Sequence, residues 1–190
     1  MPRSEEQYKV IREKSKRIIM ETALELFAAN GFHSTTISRI AKKAGIATGL
    51  VYNYFNSKEE LMDEILRSSF EEFGHLIHDS AMNGSGENNL GSIINTFFNA
   101  LKGNKNLWRL AIAVQLQPGV TKVATNSTSH FFAHIDDFLE RYFISKGEAD
   151  PKKKAKVLGD LIHCVALTYI VTEDESLLGE LISEIITKHT

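Results

Sequence analysis

The stretch STTISRIAKKAGIATGLVYNYFNSKEE, residues 34–60, predicts two short helices joined by a tight turn and followed at once by a third helix. Ile37, Ile40 and Ala41 recur at helical spacing, so the first of these helices can bury one face. Gly45 then supplies the permissive backbone that ends this helix. The pattern is typical of a helix, a glycine turn and a second helix held at a fixed angle.

The second short helix covers residues 48–54, with Leu50, Val51 and Tyr54 turned inward. A Ser-x-x-Glu capping box at residues 57–60 begins the third helix. The major groove of B-DNA admits one α-helix, and the first residues of that helix meet the base edges. Because the second helix starts with small residues, the layout predicts a helix-turn-helix that reads DNA.

Candidate DNA contacts follow from side-chain chemistry and position. Small residues at the start of the second helix let its backbone approach the bases, and Thr48 can hydrogen-bond a base or contact a thymine methyl. Polar side chains around this helix, and the amine of Lys58, are placed to donate to phosphates. The candidate DNA-binding residues are Thr35, Thr36, Ala47, Thr48, Gly49, Tyr52, Asn53, Tyr54 and Lys58.

The pattern G-F-x-x-T-T-I-x-x-I-A-x-x-A-G-I-x-x-G-x-V-Y-x-Y-F-x-S-K-E-x-L, residues 31–61, resembles the N-terminal domain of the TetR family of bacterial transcriptional repressors. The resemblance covers about the first third of the chain, and the remainder matches only in length and helical character. It implies an all-α protein with about nine to ten helices. Its expected parts are a helix-turn-helix DNA-binding domain at 1–57, a connecting helix at 58–80 and a helical ligand-binding and dimerisation domain at 81–190.

One position departs from the family pattern. Ala47 stands where the family commonly has a serine that caps the reading helix, and alanine is a poor N-cap. Thr48 therefore has two candidate roles, capping the helix and reading a base.

The charge of the chain is divided between its two parts. Residues 1–58 hold ten Lys and Arg against five Glu, a charge of +5. Residues 59–190 hold twelve Lys and Arg against nineteen Asp and Glu, a charge of −7. This division predicts a nucleic-acid surface at one end of the molecule only.

The composition predicts a cytoplasmic protein without a membrane partner. The single cysteine, Cys164, excludes an internal disulfide framework and fits a reducing compartment. The first 17 residues are too polar for a signal peptide, and the apolar run at 161–171 is too short to span a bilayer.

The remaining chain predicts helices and no strands. A disordered basic arm is expected at 1–8, in solvent or against the minor groove, followed by a long helix at 9–30. The Gly-rich segment 82–89 predicts a mobile loop. Further helices are predicted at 58–80, 90–103, 107–116, 120–128, 129–146, 151–172 and 175–188.

Dimerisation is one expected task of the second domain. The helices at 129–146 and 151–172 are apolar over more of their surface than one partner covers, so two copies are expected to form a four-helix bundle. A two-fold homodimer would present two reading helices to palindromic double-stranded DNA, with centres about 34–36 Å apart.

Ligand sensing is the other expected task. The resemblance implies repression that a small apolar effector relieves, with the helix at 58–80 carrying the motion. Aromatic and polar side chains of the second domain are candidates to line a cavity, although the same residues are typical of an ordinary core. Cys164 is expected to be a small buried hydrophobe. The candidate ligand-binding residues are Phe97, Phe98, Trp108, Gln115, Phe131, His134, His163 and Tyr169.

Enzymatic function is not predicted. The sequence contains no G-x-S-x-G, P-loop or G-x-G-x-x-G motif and no clustered metal ligands, so neither a cofactor nor a metal is expected. Two regulatory alternatives stay open: a DNA-binding dimer controlled by no ligand or by a protein partner, and an activator. A second domain completely filled by side chains would favour the first alternative.

Overall fold

The computed structural model describes residues 5–83, 90–116 and 122–189, and the side chains of residues 5–79, 90–114 and 131–189. Over these ranges all regular structure is α-helical, which confirms the predicted all-α fold. The nine described helices are α1 (Glu5–Asn30), α2 (Ile37–Ala44), α3 (Thr48–Tyr52), α4 (Lys58–Asn83), α5 (Leu90–Gly103), α6 (Lys105–Leu116), α7 (Lys122–Ser145), α8 (Pro151–Thr172) and α9 (Glu175–His189).

Three predicted boundaries change. Helix α1 starts at Glu5, so the last part of the arm expected at 1–8 is helical, and residues 1–4 lie outside the described ranges. The two helices expected at 120–128 and 129–146 are one helix, α7, because no Gly or Pro interrupts it. Of the loop expected at 82–89, the first two residues belong to α4 and the others lie outside the description.

The first three helices form a small head around a shared apolar core. Ile19 and Ala23 of α1 are fully buried, as is Ile40 of α2. Val51 of α3 is fully buried as well, and the ring of Phe27, near the end of α1, lies 5.3 Å from the ring of Phe32, which follows that helix. These contacts fix the angle between α2 and α3.

The remaining helices form a bundle that also touches the head. Helix α7 packs along α8, α4 packs against α5 and α7, and α6 packs against α1. The turn between α7 and α8 uses Gly147 at φ 72°, and Asp150 caps α8 by accepting a hydrogen bond from the Lys153 amide at 3.1 Å. Pro151 follows this cap at the first turn of α8, where its fixed φ suits the helix and its missing amide hydrogen is not needed.

Helix α8 corrects one argument from the sequence. It has 22 residues and a most apolar window of mean hydropathy 1.4, so by length and composition alone it is able to cross a membrane. The length of the shorter run at 161–171 therefore does not by itself exclude a membrane-spanning helix. Core helices of soluble proteins have the same properties, and 39% of this window is buried inside the chain.

Candidate nucleic-acid interface

The turn between α2 and α3 has the predicted local geometry. Thr36 caps α2, its Oγ1 accepting a hydrogen bond from the Arg39 amide at 3.2 Å. Gly45 ends α2 at φ 70°, and the Ile46 amide donates to the Ala41 carbonyl oxygen at 3.0 Å. The chain therefore reverses within three residues and enters α3 at an angle set by the core beneath it.

Helix α3 presents a small, polar outer face. Thr48, Gly49, Tyr52 and Asn53 are exposed, whereas Val51 is fully buried beneath them. A Cβ atom added at Gly49 would have no atom of the protein within 4 Å. The outer face thus offers a close approach to a partner at Gly49 and hydrogen-bonding groups on both sides of it.

The cap of α3 bears on the two candidate roles of Thr48. Ala47 holds the N-cap position with extended backbone and no side-chain hydrogen bond, as expected for an alanine. Within the described residues the Thr48 hydroxyl has no hydrogen-bond partner and is exposed. Thr48 is therefore not used as a cap, and its hydroxyl is free to meet a base.

Thr35 has a structural position that conflicts with its predicted role. Its side chain is fully buried, and Oγ1 lies 2.9 Å from the Gly31 carbonyl oxygen and 3.2 Å from the Leu26 carbonyl oxygen. A hydroxyl that donates to these carbonyls under the end of α1 cannot reach a phosphate. Thr35 ties α1 to α2, whereas its neighbour Thr36 is exposed.

Lys58 also differs from the prediction. Its Nζ donates to the carbonyl oxygens of Phe32 at 2.8 Å and Thr35 at 2.9 Å, with the His33 carbonyl oxygen at 3.4 Å. The amine also lies 4.3 Å from the centre of the Phe32 ring. All its donors are thus turned into the protein, because the carbonyls of the turn between α1 and α2 need a partner. Lys58 fixes α4 to that turn and is not arranged as a phosphate ligand.

The start of α4 uses a variant of the predicted capping box. Ser57 Oγ accepts from the Glu60 amide at 3.0 Å, as expected. The Glu60 carboxylate accepts from the Asn56 amide at 2.7 Å and from Asn56 Nδ2 at 2.8 Å, one residue before the cap. The box therefore also holds the segment that leaves α3.

An ion-pair network joins α1 to α4 behind α3. Lys16 Nζ lies 2.5 Å from Glu64 Oε1, and Arg67 Nη2 lies 2.6 Å from Glu64 Oε2. Burial tends to raise the pKa of Glu64, but the hydrogen bonds and positive charges of Lys16 and Arg67 outweigh it and hold that pKa below its ordinary value of 4.5. The head is thereby attached to α4 by charges as well as by its core.

Sequence reasoning named Arg12 only as one of several positive charges of the basic N-terminal arm, for the minor groove or phosphates, and the structure places it against Tyr54 beside α3. Its guanidinium lies over the Tyr54 ring, 5.3 Å from the ring centre. The signal was present in the spacing: Arg12 precedes Ile19 and Ala23 by seven and eleven residues and so shares their face of α1. That face is buried at Ile19 but exposed at Arg12.

The helical bundle formed by α4 to α9 contains a cluster of stacked aromatic rings. Phe70 of α4 stacks on Phe131 of α7 at 4.5 Å and 15°. Phe73 of α4 meets Trp108 of α6 edge-on at 5.7 Å, and Trp108 meets Phe97 of α5 at 5.1 Å. Beside this cluster lies a void of about 10 Å³, room for about one water molecule. The void is lined by Phe97, Leu101, Trp108, Ala111, Ile112, Phe132, His163, Ala166, Leu167 and Ile170.

Some predicted ligand-binding residues line this void and others do not. Phe97, Trp108 and His163 line it, and Phe98 and Phe131 are buried beside them. The remaining three are Gln115, whose side chain lies outside the description, and His134 and Tyr169, discussed next.

His134 and Tyr169 are corrections to the ligand site. His134 is exposed on α7 because it lies just beyond the buried edge of that helix. Tyr169 is buried away from the void, with its hydroxyl 3.5 Å from Glu175 Oε1 and Lys105 Nζ 5.4 Å from its ring centre. Cys164 is exposed as well, so its predicted burial was wrong.

Comparisons with known proteins match the part of the chain that contains the helix-turn-helix. The family model described as bacterial regulatory proteins, tetR family, matches residues 19–65. The fatty acid metabolism regulator protein of Bacillus subtilis (strain 168) is 33% identical over 100 residues, which are 52% of this chain and 50% of that protein. The chain thus spans about half the length of this relative.

Solved structures share the fold over nearly the whole chain. A transcriptional regulator (TerR/AcrR family) from Aquifex aeolicus VF5 has a TM-score of 0.75 at 21% identity, covering 92% of this chain and 96% of that one. The fatty acid degradation regulator FadR from Bacillus halodurans has a TM-score of 0.74 at 22% identity, covering 90% and 92%. At these identities the likeness shows the fold alone.

The family match and the geometry agree. The matched residues run from the buried part of α1 through the helix-turn-helix to the first turns of α4, and they include every element that orients α3. Over residues 19–65 the chain therefore carries the N-terminal region of the bacterial regulatory proteins of the tetR family, and its relatives and structural neighbours are named as transcription regulators.

Proposed function

We propose that this chain is a transcriptional repressor that binds palindromic double-stranded DNA as a homodimer in the bacterial cytoplasm. The observation that carries the proposal is the outer face of α3, where Thr48 and Gly49 are exposed and unpaired on a rigid base. Thr36, Tyr52, Asn53 and Tyr54 surround that face as phosphate contacts. Selection of bound duplexes from a random pool tests the proposal: enrichment of an inverted repeat supports it, and recovery of no sequence refutes it.

The proposed dimer rests on an exposed apolar stripe along α8. Val157 is 57% exposed, Leu161 39% and Val171 81%, and Cys164 and Thr168 are exposed between them. The steps of four, three, four and three residues keep this stripe on one side of the helix, as in a helix that packs against another. Water-exposed apolar stripes of this kind are typical of an interface.

Light scattering after size exclusion tests the dimer directly. One chain has a mass of 21.3 kDa, and we expect the wild type at twice that value. Leu161→Asp should yield the single-chain mass, because it places a carboxylate in the apolar seam. Val10→Asp is the matched control, since Val10 is 64% exposed on α1 and should leave the mass doubled. A single-chain mass for the wild type refutes the dimer.

We propose an apolar chain with a carboxylate end as the effector. All lining residues of the void are apolar except His163, and two relatives are named as regulators of fatty acid metabolism or degradation. Because the void measures only about 10 Å³, such a ligand must part the helices around it, α5, α6, α7 and α8, to enter. To weaken DNA binding tenfold it must favour the opened form by about 1.4 kcal/mol.

The closed void also favours the second candidate function, a DNA-binding dimer that no small molecule controls. The two candidates are separated by fluorescence, since Trp108 is the only tryptophan of the chain and lines the void. Palmitate should change Trp108 emission and release bound DNA, whereas acetate, a carboxylate without the chain, should do neither. If palmitate changes neither signal, the effector is refuted and the second candidate stands.

A further inference from the structure

The first turns of α1 carry a basic face that is exposed among the residues that the structure describes. Ile19 and Ala23 on this face are fully buried, but the same face carries Arg12 and Lys9 nearer the N-terminus, both exposed, together with Tyr8 at 57% exposure. A helix face that is buried along half its length and exposed along the other half is free to meet another molecule. This basic face lies next to α3, because Arg12 contacts the ring of Tyr54, two residues after the end of α3.

Arg12 is held against the reading head by an aromatic ring. Its guanidinium lies 5.3 Å from the centre of the Tyr54 ring, two residues beyond α3. Within the described residues Arg12 forms no ion pair, whereas Lys16, one turn later, is engaged by Glu64. A guanidinium that rests on a ring keeps the N–H groups along its edge available, and two of these match two oxygens of a phosphate.

From this arrangement, and resting on the proposed function, we infer that Arg12 binds a phosphate on the DNA backbone beside the groove that α3 occupies, with Tyr54 as its positioning residue. The surface is continuous with the exposed face of α3, and its charge is opposite to that of DNA. Glu5 and Glu6 in the first turn of α1 repel the backbone and keep the tip of the helix out of the contact. The contact therefore ends at Lys9.

The expected size of the effect follows from counterion release. Each phosphate contact adds about 0.9 to the slope of log affinity against log salt. At a salt concentration of about 0.15 M, one lost contact therefore lowers the affinity by about fivefold. Fluorescence anisotropy on the duplex selected by the wild type measures both quantities. Arg12→Gln should lower the affinity by about fivefold and reduce the slope by about one unit.

The matched control is Arg17→Gln. Arg17 is also exposed on α1, its side chain being 73% accessible, but it lies about 140° around the helix from Arg12 and faces Glu21 at 3.7 Å. It should leave both slope and affinity within about twofold. Equal melting temperatures of the two variants and the wild type establish that both fold. Equal DNA binding by Arg12→Gln and Arg17→Gln overturns the inference.

A double-mutant cycle tests the role of Tyr54. If the ring positions Arg12, the Arg12→Gln effect should shrink to less than about twofold in a Tyr54→Leu background. An undiminished effect there overturns the positioning role. If the wild type itself selects no duplex, the proposed function has failed, and this outcome is distinct from failure of the inference.

Discussion

Replacing Lys58 by methionine separates two roles for this residue by two measurements. In the structure the ammonium donates to the carbonyl oxygens of Phe32 at 2.8 Å and Thr35 at 2.9 Å. Methionine keeps the apolar stem but cannot donate, so both carbonyls lose their charged partner. A hydrogen bond to a charged group contributes about 1.5–3 kcal/mol, and because the site is partly exposed we expect a combined loss of about 2 kcal/mol.

The expected loss is visible in a thermal melt. For a chain of this size, about 2 kcal/mol lowers Tm by about 4–8 °C. Lys42→Met is the matched control, because Lys42 is an exposed lysine on α2 without an ion pair among the described residues. It should change the free energy of unfolding by less than about 0.5 kcal/mol.

The salt dependence of DNA binding supplies the second measurement. With its amine turned into the protein, Lys58→Met should leave the slope of log affinity against log salt unchanged at temperatures well below Tm. A phosphate ligand would instead give a slope lower by about one unit. An unaltered Tm together with a reduced slope would refute the internal role and restore Lys58 to the DNA contacts.

Three further outcomes follow from the same surfaces. Gly49→Ala should raise Tm slightly, because the added Cβ meets no protein atom and alanine favours helix by about 1 kcal/mol, yet it should weaken DNA binding; undiminished DNA affinity would show that the backbone at Gly49 does not approach the bases. Thr35→Val should cost about 1–2 kcal/mol in a denaturant titration and leave the salt slope unchanged, whereas a lower slope would return Thr35 to the phosphate contacts. Because the pKa of Glu64 is depressed in the folded state, its stabilising contribution is complete above the unfolded value of 4.5 and is lost as pH falls through the folded value. Glu64→Gln should therefore lower Tm at pH 7 but not at acid pH, and an equal loss at both would exclude the charge as the cause.

The parts of the fold that sequence predicted depend on local chemistry. The end of α2 follows from Gly45, which adopts the left-handed backbone, and the start of α8 follows from Asp150 and Pro151. The outer face of α3 is equally local, because burial of Val51 decides which side of this short helix is turned away from the protein. Each of these residues determines backbone structure within about four residues of itself, so the sequence nearby is enough to predict it.

The parts that sequence missed depend on distant partners. Lys58 bonds carbonyls that lie 26 and 23 residues earlier in the chain, and no spacing rule connects them. The sequence does not distinguish Thr35 from Thr36 as a DNA contact, because the burial of Thr35 depends on the end of α1, nine residues earlier in the chain. His134 lies at the edge of the broad apolar face of α7, where packing of the neighbouring helices decides which side is covered.

Helix α4 connects the aromatic cluster to the turn that Lys58 holds, and this makes it a lever. Fifteen residues separate Phe73 from Lys58, a distance of about 22 Å along the axis. Pivoting α4 by about 5° at the cluster would therefore swing its other end by about 2 Å. In the proposed symmetric pair the two swings add to about 4 Å, slightly more than the axial rise of about 3.4 Å per base pair of duplex DNA. A few degrees of tilt are thus enough to set the two halves out of step with the duplex.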